Sequence, residues 1–210
     1  MSISDKIKDF FGKTINETEA LKGNVAKDKY FFSEKEFPRN YHAVEEFRKS
    51  KNRLFDVNSW STISHPLSAN FSLHNQSAEG VVEVLPQLNY YIAIDLPGPL
   101  PIYWVKVIDI KNADSFAEFT VQPSEDPTKN TDKEKTQHFF QKGATSTFRV
   151  EINDNKIKAS EIGKNEAINV KSDEAGIQAP INALVAETGW NGFQKIQWEN
   201  LCKYIVGNKI

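Results

Sequence analysis

Four histidines (His42, His65, His74, His138), one cysteine (Cys202) and a scatter of carboxylates are the residues that could do chemistry in this chain. His42 and Glu46 stand one helical turn apart, a spacing that metal sites use. A second histidine at the matching interval is absent, and one imidazole with one carboxylate does not make a site. The pair reads as a solvent-facing residue beside its neighbour. His65 precedes Pro66, which favours extended backbone, and His74 alternates outward from a strand. Either imidazole could act as a general base, but neither has a partner close in sequence.

Nucleophile and phosphate motifs are missing: no G-x-S-x-G, no S-x-x-K, no P-loop and no G-x-G-x-x-G occurs. Ala144-Thr145-Ser146-Thr147 follows Gly143 and is rich in hydroxyls, yet its alternation assigns it to the outer face of a strand. Cys202, among Leu201, Tyr204 and Ile205, reads as a buried inert thiol. Gly163-Lys164-Asn165-Glu166 ends a strand and offers an amine and a carboxylate on a loop. Glu83, Asp95, Asp109, Glu118 and Glu161 lie on strand-like segments, so an inward carboxylate pair is the open route to hydrolysis. No metal site and no cofactor is expected.

The aromatics carry the remaining signal. Trp60, Tyr90, Tyr91, Tyr103, Trp104, Trp190 and Trp198 have polar handles that a dry core accommodates poorly. Of these, Trp60, Tyr91, Tyr103, Trp104 and Trp190 are the candidates for binding a ligand or a partner. The competing reading is that they simply pack between sheet and helices. Tyr103 and Trp104 are adjacent on a strand, so one of them must look away from whatever the other packs on.

These residues must be positioned by elements legible in the pattern. Ile3, Ile7, Phe10 and Phe11 have helical spacing, and the polar stretch after them to Lys29 reads as a linker, so 1–29 is expected to be a mobile tail or a docking element. Ser33-Glu34-Lys35-Glu36 resembles a helix capping box. Pro38 suits the first turn of a helix from Asn40 to about Lys51, with a short helix or turn over Leu54 to Trp60. Strands are expected around Phe71, Val81–Leu85, Tyr90–Leu96, Ile102–Ile110 and Phe116–Val121, the penultimate one apolar on both faces and therefore central. Pro97 to Pro101 turns the chain, and 122–137 and 164–178 are polar excursions. Asn153-Asp154-Asn155 turns a hairpin between Ala144 and Gly163. A helix from about Gly192 to Val206 presents a broad apolar face that needs a sheet to cover.

Composition bounds the rest. With 39% hydrophobic residues and 24 aromatics (14 Phe, 6 Tyr, 4 Trp) among 210, the chain has ample apolar surface for one folded core. A formal charge of −2 with no basic run argues against a nucleic-acid partner. No apolar run is long enough to span a membrane, and the charged N-terminus does not read as a secretory signal, so a cytoplasmic location is expected.

The expected fold is therefore α+β: residues 30–210 as one domain, with short N-terminal helices, a curved antiparallel sheet of about six or seven strands, and a C-terminal helix on it. A partly closed barrel with appended helices fits nearly as well. In element order only, over roughly residues 38–206, this resembles the helix-grip arrangement of small-ligand carriers and cyclases. No motif carries the likeness, so it transfers no functional residue. Three functions remain: a non-catalytic binding or interaction protein, a carrier or sensor enclosing a small apolar ligand, and a hydrolase or cyclase-type enzyme with dispersed acid and base residues.

Overall fold

The computed structural model describes residues 27–63, 68–77, 80–96, 102–129, 143–166 and 190–210, without the side chains of Lys27 and 190–194. The proposed helix at 3–11, His65, His138, Pro97 to Pro101 and the stretch 179–189 lie outside the described residues. So do most of the two polar excursions.

Seven strands form one antiparallel sheet: β1 (Lys27–Glu36), β2 (Asn70–His74), β3 (Tyr91–Asp95), β4 (Tyr103–Asn112), β5 (Phe116–Ser124), β6 (Thr145–Asn153) and β7 (Lys156–Glu166). Their spatial order is β1-β7-β6-β5-β4-β3-β2, so only β1 is out of sequence, placed beside the last strand. The two edge strands do not pair with each other, and the sheet curls into an open half-barrel. A bulge between Val107 and Asp109 lets β4 bend against β5, a device that adds local twist.

Helix α1 (Asn40–Phe55), a 3-10 helix (Asn58–Thr62) and helix α2 (Trp190–Val206) accompany the sheet. Ala43, Phe47, Leu54 and Phe55 of α1, and Leu201, Cys202, Ile205 and Val206 of α2, share one core with Phe119, Phe148, Val150, Ile157 and Ala159 of the strands. The side chain of Arg53 joins the two helices. Its Nε donates to the carbonyl of Ile205 at 2.9 Å, and its guanidinium meets Glu46 at 2.5 Å. The hairpin at Asn153 to Lys156 turns as expected, with Asp154 at φ 52°, a conformation that aspartate tolerates better than branched residues do.

Four expectations need correction. Ser33 to Glu36 belongs to strand β1, not to a helix start: Tyr30, Phe32 and Glu34 are exposed while Phe31, Ser33 and Lys35 are partly covered, a period of two that outweighs the capping-box signature. The chain therefore enters the fold as a strand, beginning at Lys27 within the stretch read as linker. Val81 to Leu85 makes only an isolated bridge, Val81 to His74. Finally, β7 runs on through Glu166, so Gly163 to Glu166 closes a strand instead of forming a loop.

Candidate functional site

The inward faces of the strands decide what the sheet can hold. Phe71, Ile92, Ile94, Tyr103, Val105, Val121 and Phe148 occupy alternate positions in register across β2 to β6, so they line one continuous apolar surface. Between it and the helices lies a cavity of about 90 Å³, open on one side. That is several times the roughly 10–15 Å³ needed to seat one water. Trp60 of the 3-10 helix and Gln197 and Trp198 of α2 complete its wall, and Ala144, Thr145 and Ser146 form the β6 end.

Aromatic contacts knit the wall together. The Trp60 ring stacks 5.8 Å from Phe119 and meets Phe148 edge-on at 4.9 Å and Phe71 at 5.5 Å. Trp198 meets Phe148 at 5.4 Å. The polar handle of Trp60 is spent outside the cavity, since its Nε1 donates to the Arg53 carbonyl at 2.9 Å. The 3-10 helix also covers the free edge of β2. Ser61 Oγ accepts the Phe71 N–H at 2.7 Å and donates to the Phe71 carbonyl, while Asn58 Oδ1 accepts the Leu73 N–H at 2.8 Å.

Polar groups at this surface are few. Gln197 is 2% exposed; its Oε1 accepts the Ala69 N–H at 2.8 Å, and its Nε2 has no hydrogen-bond partner among the described residues. Burial pushes the Tyr103 hydroxyl up to about 12, so it stays protonated at any physiological pH. Among the described lining residues there is no Asp, Glu, His, Lys or Arg.

Further along the same inner face, Glu161 is fully buried, and among the described residues neither carboxylate oxygen has a partner in good hydrogen-bond geometry, although the Ser146 hydroxyl stands close by. Burial, reinforced by the nearby charge of Glu166, pushes its carboxyl well above the usual range, against the pull of Ser146 and Lys29. Glu166 is itself buried, folded back so closely that a β-carbon on Gly163 would collide with its carboxylate. Cys202 lies over this region of β1, with Sγ 3.7 Å from the Phe31 carbonyl. Burial, then the charge of Glu161, pushes its thiol up, which suits the inert role.

The candidate residues divide accordingly. Trp60 and Tyr103 are brought to the cavity wall; Trp104 also borders the cavity, but its ring lies on the opposite face of β4. Tyr103 belongs to the core cluster, whereas the Trp104 ring meets His74 edge-on at 4.9 Å, as the opposite facing of adjacent residues requires. Tyr91 is not at the cavity: it alternates away from Ile92, with the Lys106 ammonium 5.7 Å from its ring centre. The side chain of Trp190 lies outside the described residues. Ser146, assigned with its neighbours to an outer face, instead lines the cavity because it shares the inward register of Phe148. Glu118 faces outward between Lys111 at 2.9 Å and Arg149 at 2.5 Å. Asp109 pairs with Lys111, and Glu83 and Asp95 are exposed. Trp198 stood among the aromatics with polar handles, whereas Gln197 was legible only as a member of a helical stripe. The useful signal was Gln197, a polar residue at a spacing otherwise held by Trp190, Phe193, Leu201 and Tyr204.

No family model matches the sequence, and no curated protein matches it either. Among solved structures, a hypothetical protein from Helicobacter pylori is similar over 89% of this chain and 92% of its own, with 11% identity and a TM-score of 0.50. At that identity the likeness is one of fold. Weaker likenesses extend to an HSP90 activator from Plasmodium falciparum (12% identity, 87% of this chain, 97% of that one, TM-score 0.41) and to ginseng major latex-like protein 151 from Panax ginseng (10%, 76%, 93%, 0.39).

Proposed function

We propose that this chain is a non-catalytic binding protein that encloses a small apolar molecule between its curved sheet and its C-terminal helix. The observation that carries this reading is the cavity wall, built of Trp, Phe, Ile, Leu and Val side chains with a handful of neutral polar groups. Concave, mostly apolar sites with few polar groups are how small molecules are held. Trp60, Tyr103 and Trp198 are the residues assigned to contact with the ligand.

Binding is favoured over catalysis by the chemistry of the same wall. Its one titratable side chain among the described residues is Tyr103, whose hydroxyl is pushed to about 12, far from the neutral range where a general acid or base works. The outward carboxylate of Glu118 is engaged by two cations, which is a structural role. We assign the protein to the cytoplasm on its sequence.

Native mass spectrometry of the protein purified gently from its source organism tests the reading. The expected result is a chain carrying one extra small mass that organic extraction removes. A bare chain, together with tryptophan emission that does not respond to any apolar probe, contradicts it.

A further inference from the structure

Glu161 is an acid sealed beneath the helix that completes the cavity. It projects from the inner face of β7, directly across from Phe148 of β6 and Phe31 of β1, and is fully buried. Those strands lie beside it in the sheet, so the element that covers it from above is α2, through Cys202. The titratable groups facing it are Glu166 on its own strand, Lys29 of β1 and the Cys202 thiol of α2. Strand β6 adds the Ser146 hydroxyl, and no charged side chain of α1 acts on it among the described residues. Glu199 of α2 bears on Cys202 but pairs at the surface with Lys195 at 3.9 Å. An ionised carboxylate sealed here, without a partner in good hydrogen-bond geometry, is far costlier than a neutral one. Water must reach the charge for it to be tolerated, and α2 stands in the way.

That helix is fastened unevenly. At its C-terminal end Arg53 Nε donates to the Ile205 carbonyl and Lys35 Nζ to the Gly207 carbonyl at 2.6 Å. Just beyond, Asn208 Nδ2 reaches Ser33 Oγ and the Glu34 carbonyl. Before Cys202, one hydrogen bond to another element remains among the described residues, from the Ala69 N–H to Gln197. This loosely tied half brings Gln197 and Trp198 to the cavity wall, and Ser146 borders both the cavity and Glu161. We infer that α2 is a latch set by the proton on Glu161: seated over the cavity while the carboxyl is neutral, and lifted at its Gln197 end when the carboxyl ionises. For the ligand site proposed above, on whose reading this consequence rests, retention is then proton-dependent and release is favoured as pH rises.

Lifting releases one proton, so the opening equilibrium grows about tenfold per pH unit between the open-state and the higher, seated-state value of Glu161. Amide hydrogen exchange of the full chain, corrected for the intrinsic rate, reads this between pH 6 and pH 8. The expected result is that amides from Gln197 to Cys202 exchange faster than those of β5, by local opening, and lose protection about a hundredfold over that span. Glu161→Gln abolishes the loss. Protection that is constant with pH overturns the inference, as does exchange only as slow as that of β5, or a loss that persists in Glu161→Gln. Saturating n-propylbenzene should restore protection at pH 8. No restoration, with the pH-dependent loss intact, removes the ligand reading and leaves the latch. If Glu161→Gln does not fold, Glu166→Gln decides: a retained slope assigns the proton to Glu161, and a lost slope overturns that assignment.

Discussion

Gln197 and Ala69, 128 residues apart, share a 2.8 Å hydrogen bond that fastens the C-terminal helix to the residue before strand β2. The same side chain stands at the wall of the cavity.

Removing that bond leaves the Ala69 N–H buried without an acceptor. Gln197→Leu should lower the unfolding free energy by about 1–3 kcal/mol. Urea denaturation followed by tryptophan emission measures it. An unchanged midpoint would mean that the helix is held by its apolar face alone.

Glu161 makes stability depend on pH in a defined direction. Its folded carboxyl is held well above its ordinary range, so the folded state binds the proton more tightly than the unfolded chain does. That contribution is fully present below the unfolded value and is lost as pH rises towards the folded one. The groups facing Glu161 are Glu166 from the end of its own strand, Ser146 from β6, Lys29 from β1 and Cys202 from α2. Glu161→Gln should remove the decline and raise stability at the alkaline end of the range. Melting curves from pH 4 to 9 on both proteins would show two parallel profiles if Glu161 were not the group responsible.

The Arg53 cluster has the opposite sign. Burial alone would raise the Glu46 carboxyl, but the Arg53 hydrogen bond and charge, with Lys49 and Lys35, hold it below its usual range. The resulting stability is present above the ordinary carboxylate value and is lost as pH falls through the folded one. Arg53→Met should cost about 2–3 kcal/mol at neutral pH, because it also frees the Ile205 carbonyl, and should lessen the loss on acidification. Acid titrations that stay identical in steepness would count against this pairing.

Val121 lies on the inner face of β5 at the cavity. Enlarging it fills space that is otherwise empty, so Val121→Phe should weaken binding of a small apolar probe at least tenfold. The melting temperature should change little, since the gain of about four carbon atoms meets a void and not a packed core. Unchanged affinity would show that the ligand binds elsewhere.

Much of this architecture was legible from periodicity. Ile102 to Ile110 is apolar on both faces and proves to be strand β4, flanked on both sides by β3 and β5. The helix at Asn40, the hairpin at Asp154 and the final helix follow from local signals that tertiary contacts did not override. Strand β1 was missed because Ser33 and Glu36 imitate a helix cap, and its alternation has force only beside β7, more than a hundred residues away. The site was half legible. Trp60, Tyr103 and Trp104 stand out by residue type, but the inward register that recruits Phe71, Phe148 and Ser146 is a property of seven strands together. Glu161 was among the strand carboxylates from which an inward pair could come, but Glu166 was hidden, because β7 continues past Gly163 and only there does Glu166 become buried.

The central claim is that an apolar molecule enters the space between sheet and C-terminal helix. Methyl-resolved NMR of the full chain titrated with n-propylbenzene tests it most directly. The account predicts saturable shifts at the methyls of Ile92, Ile94 and Val121, with little change at Val84 and Leu85 on the exposed segment. Shifts confined to Val84 and Leu85, or no saturable shift at the cavity methyls, would contradict it.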